Sequence, residues 1–259
     1  MEEQPTAISV KNLVKKFSTR TGAVASLDDV SFEVPLGKVC VLLGPNGSGK
    51  TTLLKILAGL LRPTSGTFAI GGIDGVDDPR GARGKIGWMP AEERAGLYGR
   101  LTGRQNLDFF GALNNVTGGD LDRAVGNLAL QIGINDEMDK IVLQTSTGAK
   151  QKIALTRALL HNPPVILLDE PTRNLDPHTV LRFRRLIRDH LTRQQKKTVL
   201  LSTHQLEEAR KIADVIVIIS KGKLIRRLEG RELEAAFQGK SAEEFYLKAV
   251  DNEWEELQK

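Results

Sequence analysis

The chain of 259 residues has a single cysteine, Cys40, which excludes an intrachain disulfide framework. Cys40 lies inside an apolar stretch, where a thiol is expected to be buried and inert, as suits a reducing compartment. Long hydrophobic runs are missing too. No stretch approaches the roughly 18–20 apolar residues that cross a bilayer, so any membrane pathway the protein serves is expected on another polypeptide. The start, Met1-Glu2-Glu3-Gln4-Pro5, is acidic and polar and is not expected to be a signal peptide. No charge sign dominates: 37 Lys and Arg are interspersed with 32 Asp and Glu, a formal net charge of +5, which is no nucleic-acid footprint. Internal repeats, low-complexity tracts and sustained heptads are absent, which excludes solenoids and long coiled coils. What remains is the composition of an ordinary globule, 40% hydrophobic and 27% charged, long enough for one large domain or two small ones.

What is present begins at Val39-Cys40-Val41-Leu42-Leu43, a strand-like run that leads into Gly44-Pro45-Asn46-Gly47-Ser48-Gly49-Lys50-Thr51. The pattern G-x-x-x-x-G-K-[ST] between a strand and a helix is a phosphate-cradling loop. Its glycines let successive backbone N–H groups converge on one point, and a helix starting near Gly49 adds its positive end to that point. Such a field suits a polyphosphate. Lys50 is expected to reach the β- and γ-phosphates, and Thr51 to hold Mg²⁺.

A second run, Val165-Ile166-Leu167-Leu168, ends in Asp169-Glu170. Four consecutive apolar residues suggest a strand buried on both faces of a parallel sheet. Carboxylates at its C-terminal end stand where open α/β sheets place ligands. Asp169 is a second anchor for Mg²⁺, directly or through water, and Glu170 is a candidate general base for an attacking water.

The ordered set of the phosphate loop, Ser-Thr-Gly-Ala-Lys-Gln (146–151), Val-Ile-Leu-Leu-Asp-Glu-Pro-Thr (165–172), Asn-Leu-Asp-Pro (174–177) and Ser-Thr-His (202–204) resembles the ATP-binding subunit of ABC transporters. The resemblance spans residues 8–231. It implies an α/β fold: a P-loop NTPase core with a parallel sheet, an antiparallel β layer, and an inserted helical subdomain at about residues 91–157, followed by a helical extension at 232–259. It implies ATP as substrate with Mg²⁺, bound by Phe17, Gly44, Pro45, Asn46, Gly47, Ser48, Gly49, Lys50, Thr51 and Thr52. Phe17 would stack on adenine, with a core phenylalanine as the competing reading. Ser146 and Gly148 would touch the γ-phosphate of ATP held by a second, facing subunit. Asp176 would lie at the dimer interface. His204 would contact the γ-phosphate and hold Glu170 and its water.

The same resemblance implies two copies closing head to tail on ATP, and integral membrane permease subunits as partners, with no nucleic acid. The chain would be peripheral at the cytoplasmic face of the cell membrane. Its closest likeness is to bacterial exporters with separate membrane subunits. Residues 97–107 would receive a coupling helix from the permease, or else pack on their own subdomain. Two other classes stay open: a non-transport ATPase of the same fold, and a catalytically weak regulatory half of a heterodimer.

Three positions depart from the family pattern. Ala91 stands where a glutamine is usual, so Glu92, Glu93 or water would complete the metal shell. The signature reads Thr145-Ser146-Thr147-Gly148-Ala149, and Arg173-Asn174 replace small residues. Locally, strands are expected at Ile8–Leu13, Val30–Val34, Thr67–Ile70 and Thr198–Ser202. Helices are expected at Gly49–Leu61, Gly103–Leu113, Leu121–Ile132, after Ser146 as N-cap, at Leu175–Thr192 and at Ala242–Leu257. The basic run Arg182, Arg184, Arg185 and Arg188 is expected to be a solvated face, with phospholipid headgroups as the other reading.

Overall fold

The computed structural model describes residues 5–20, 22–91, 96–173 and 175–237. Two long strands, β1 (Thr6–Thr19) and β2 (Gly22–Pro35), pair as an antiparallel hairpin. The short β3 (Val39–Leu43) runs into the phosphate loop and α1 (Lys50–Leu57). Then follow β4 (Ser65–Ile70), β5 (Ile73–Asp74), α2 (Pro79–Gly84) and β6 (Ile86–Met89). Three helices come next: α3 (Gly103–Leu113), α4 (Gly118–Ile132) and α5 (Thr147–Leu159). The chain returns to the core through β7 (Val165–Asp169), α6 (Pro177–Arg185), β8 (Thr198–Thr203), α7 (Leu206–Ile212), β9 (Val215–Ser220), β10 (Lys223–Glu229) and α8 (Gly230–Phe237).

The strands form two sheets. One is antiparallel, in the order β2-β1-β4-β5; the other runs β10-β9-β3-β8-β7-β6 and is parallel except for β10. Every residue of β3, β7, β8 and β9 is buried, as a sheet covered on both faces requires. Alternation then divides the core in two. Val39, Val41, Leu43, Ile166 and Leu168 pack toward the helices α3 to α5. Cys40, Leu42, Val165 and Leu167 pack toward α1 and the antiparallel layer. Burial pushes the Cys40 thiol far up, so it is inert as expected.

Several expected boundaries move. The first two strands reach well beyond 8–13 and 30–34, because the hairpin continues through exposed residues that pairing alone supports. The helix after the phosphate loop stops at Leu57, not Leu61: Gly59 takes φ 67° and turns the chain before Arg62-Pro63 can. Helix α6 starts at Pro177 with Asp176 as its cap, and continues beyond Thr192 as a wider π-helical segment, Leu186–Gln194. Its basic residues are not one solvated face. Arg182 and Arg185 are exposed, whereas Arg184 is half-buried and Arg188 donates from Nη1 to Lys211 O at 3.0 Å. Strands β6 and β10 and helices α2 and α7 had no counterpart in the sequence pattern. Glu92, Glu93, Asn174 and the helix expected at Ala242–Leu257 lie outside the described residues.

Candidate functional site

The phosphate loop leaves the centre of the parallel sheet between β9 and β8, and β7 follows β8. Parallel strands end on the same side, so Leu43, Asp169 and Thr203 bring the loop, Glu170 and His204 to one edge. Gly44 is there because nothing larger fits: a Cβ would stand 2.1 Å from Ile219 O and 2.9 Å from Ser48 Oγ. Gly49, at φ 109°, caps α1, and its Cβ would meet Ser26 O at 2.6 Å. Gly47 also has a positive φ, 80°, beside Pro45 and Asn46. Replacing Gly44 by alanine should therefore abolish nucleotide binding, measured with a fluorescent ATP analogue, because the clash is with backbone and cannot be relieved by a rotamer change.

Lys50 is buried, and its ammonium donates to Gly44 O at 2.7 Å and Pro45 O at 2.9 Å. Burial pushes its pKa down, against the attraction of Glu170 and Asp169. The Glu170 carboxylate lies 3.9 Å from Lys50 Nζ and accepts a hydrogen bond from His204 Nδ1, 2.9 Å from Oε2 and 3.1 Å from Oε1. Asp169 is 1% exposed. Its Oδ1 accepts from Ser202 Oγ at 2.6 Å, and Ser202 Oγ accepts from the Glu170 N–H at 3.0 Å. Glu170 itself sits at φ 48°, a left-handed backbone that costs roughly 1–3 kcal/mol for such a residue. The Ser202 bond holds it there and aims its side chain at Lys50 and His204.

Mg²⁺ fits this edge. Among the described residues no three His, Cys, Asp or Glu cluster as a closed metal cage. Magnesium needs none, since it is bound through one or two protein oxygens plus phosphate and water. Thr51 is exposed, Asp169 holds a carboxylate oxygen free of Ser202, and the buried Ser48 Oγ has no partner among the described residues. An orphaned buried hydroxyl in a cradle of N–H groups is what a phosphate oxygen would satisfy. The Thr52 hydroxyl lies 2.8 Å from Ser26 Oγ, beside the loop.

The other predicted residues stand apart. Ser146 caps α5 as expected, accepting from Ala149 N–H at 3.1 Å. It is exposed, Gly148 is half-buried, and no hydrogen bond among the described residues ties either to the phosphate loop. Asp176 caps α6 through Thr179 N–H at 3.0 Å and accepts from Thr179 Oγ1 at 2.6 Å. The Thr179 hydroxyl holds its carboxyl below the usual range. Phe17 is 40% exposed, which removes the core reading. Lys15 Nζ lies 5.1 Å from its ring centre.

Four residues escaped the sequence reading. Glu208, 1% exposed, accepts from Thr172 Oγ1 at 2.6 Å and Thr203 Oγ1 at 3.2 Å, locking the loop after Glu170 to the strand before His204. Gln151 Nε2 donates to Arg173 O at 2.7 Å, tying α5 to the segment before Asp176. Arg157, pushed down to about 10 by burial, donates to Trp88 O and Gly96 O and so spans the region of Ala91. Ser202 and Gln151 were seen only as members of the Ser-Thr-His triplet and the 146–151 motif, the one available signal for each; nothing local marks a role for Glu208 or Arg157.

The family model of ABC transporters matches residues 27–173. The chain is 34% identical over 237 residues to the ABC transporter ATP-binding protein NatA of Bacillus subtilis, covering 92% of this chain and 94% of the relative. It is 34% identical to the bacitracin transport ATP-binding protein BcrA of Bacillus licheniformis, over 86% of this chain and 70% of the relative. It is also 34% identical to the taurine import ATP-binding protein TauB of Roseobacter denitrificans, over 83% and 78%. Among solved structures, the dimeric post-hydrolysis state of the ATP-binding cassette MJ0796 bound to ADP and Pi matches with a TM-score of 0.76 at 26% identity, over 86% of this chain and 98% of that one.

Proposed function

The chain belongs to the ABC transporter family as an ATP-binding, ATP-hydrolysing subunit, and from that premise we propose how its residues divide the work. Residues 8–231 act as the ATPase domain, with 91–157 as its helical insert and 232–259 as an extension. Lys50 leaves Gly44 O and Pro45 O for the β- and γ-phosphates, exchanging two carbonyl acceptors for anionic ones. Thr51 and Asp169 would hold Mg²⁺, which when bound would neutralise charge developing on the phosphates. Glu170 takes the proton of the attacking water. His204 fixes the carboxylate and reaches the γ-phosphate. Phe17 stacks on adenine.

One observation supports a shared site above all. Lys50, Asp169, Glu170 and His204 gather at one edge, while the Ser146 cap and Gly148 make no bond to them. Each copy thus offers half of a phosphate cage, and a second copy would supply the exposed helix end. The dimeric relative bound to ADP and Pi agrees with this. Closure follows because ATP binds the paired state better than the open one.

Ser146→Asp tests the pairing. Aspartate caps a helix about as well as serine, so the melting temperature should be unchanged. A negative charge facing the γ-phosphate should weaken ATP-driven dimerisation at least about tenfold, read by sedimentation velocity. A variant that dimerises normally would reject the role of this helix end.

The stroke is proposed to pass to separate membrane subunits through residues 97–107. Tyr98 is 51% exposed there and stacks on Phe110, with Phe109 edge-on. No helix among the described residues is long and apolar enough to cross a membrane. The family's role as the ATP-binding subunit of a transporter supports a peripheral position at the cytoplasmic face, bound to a permease. Export is the direction proposed, supported by the likeness to separate-subunit exporters. The taurine import relative, equal in identity, favours import as a second reading. Substrate flux in inside-out vesicles containing the chain and its co-purified permease separates them, since only export drives ATP-dependent accumulation.

A further inference from the structure

One buried carboxyl group takes no part in the mechanism above. Glu208, on α7, has no cationic partner among the described residues, whereas its neighbour Glu207 pairs with Arg210 and Lys211, each at 3.9 Å. Its Oε2 takes two hydroxyls, Thr172 Oγ1 at 2.6 Å and Thr203 Oγ1 at 3.2 Å. Its Oε1 has no partner among the described residues. Burying a carboxyl group on those terms costs stability, so the two bonds need another reason.

Their placement supplies one. Thr172 lies two residues after Glu170, and Thr203 directly before His204. Both threonines are buried, so water does not compete for the carboxyl oxygen. The group that joins them stands on a firm base. Ala209 and Ile212 bury α7 in the core with Val199, Leu201 and Ile216 of the sheet.

Glu170 and His204 both need outside support. Ser202 holds the left-handed backbone of Glu170 on its N–H side. On the other side, the Glu170 carbonyl accepts from Arg173 N–H at 3.1 Å, closing a turn that contains Thr172. The His204 side chain is 43% exposed, and among the described residues its ring bonds to Glu170 alone. No packed wall fixes that ring, so its place is set by the backbone that carries it. Thr203 Oγ1 also accepts from Gln205 N–H at 3.0 Å, which ties the chain on both sides of His204 to the hydroxyl that Glu208 holds. Supporting bonds of this kind keep reacting groups within about 0.5 Å of their working geometry.

We propose that Glu208 is a positioning residue for ATP hydrolysis: by holding Thr172 and Thr203 on one oxygen, it sets the separation of Glu170 from His204. The assignment rests on the roles of Glu170 and His204 proposed above. Glu208→Ala should lower kcat at least about tenfold, since small displacements of reacting groups cost that much or more. ATP binding, read with a fluorescent analogue, should be unchanged. Glu208→Gln should melt at a lower temperature yet keep kcat within about threefold, because its amide oxygen still accepts both hydroxyls while its NH₂ is buried without an acceptor. A residue needed for the fold alone would not separate the two readouts in this way.

The deciding measurement is a double-mutant cycle on phosphate release. With His204 replaced by alanine there is no separation left to set, so adding Glu208→Ala should cost less than about threefold more. Thr172→Val cuts one of the two ties and leaves α7 intact; it takes the place of Glu208→Ala in the cycle should that variant fail to fold. A kcat unchanged by cutting the tie, or the same loss with and without His204, overturns the positioning role. Turnover at the wild-type value in His204→Ala alone has a different meaning: the proposed role of His204 has then failed, and the positioning role falls with it.

Discussion

Glu170→Gln should lower ATP turnover by about 10²–10⁴-fold, the range supplied by a positioned general base, while ATP binding persists. Glutamine keeps the shape of the side chain and can still accept from His204 Nδ1, which now lies 2.9 Å from Oε2. It cannot take a proton from water at neutral pH. It also removes the negative charge 3.9 Å from Lys50, so the ammonium is less restrained from moving to the phosphates. The variant should therefore accumulate as an ATP-loaded dimer. Phosphate release under multiple turnover measures the first effect, and light scattering after size exclusion the second. Turnover equal to that of the wild type would remove Glu170 from the role of base. His204→Ala then discriminates: a carboxylate held by His204 predicts a large loss in that variant too, whereas a freely acting base does not.

Lys50→Ala should act at the earlier step, weakening ATP binding about a hundredfold or more. Each charge-assisted hydrogen bond to a phosphate is worth about 1.5–3 kcal/mol, and Lys50 would make at least two. The loss is deepened by what stays behind. Asp169 is 1% exposed and the Glu170 side chain 11%; without the ammonium, both carboxylates face the triphosphate unneutralised. Lys50→Arg is not a rescue, because a planar guanidinium cannot occupy the narrow space bounded by Gly44 O and Pro45 O. Titration with a fluorescent nucleotide reads both variants, and a dissociation constant within threefold of wild type would reject the assignment.

Much of the nucleotide site was legible because its elements are local. The turn at Gly44 to Gly49 is encoded by glycines that no side chain could replace, and α1 starts where its cap requires. The Ser146 cap was likewise visible three residues ahead of its partner, Ala149. The end of α1 was misplaced for a related reason: a proline directly after an arginine is a conspicuous stop, but Gly59 reached φ 67° first. The strand hairpin was underestimated because its distal half is exposed and has no apolar alternation to announce it. The arginine run of α6 looked solvated because charge pattern carries no information about Lys211 O, which lies 23 residues further on.

By itself, the order of residues determined that a polyphosphate is cradled after β3, that carboxylates close β7, and which family the ordered motifs place the chain in, since each depends on neighbours within a few positions. Only the tertiary structure decided how Glu170 is aimed. Its strained backbone is held by Ser202, 32 residues away, and its carboxylate by His204, 34 residues away. It also decided that Glu208 locks the two loops. Parallel pairing of β7 with β8 brings such groups together at one edge of the sheet, and strand pairing between distant segments leaves no mark in local sequence.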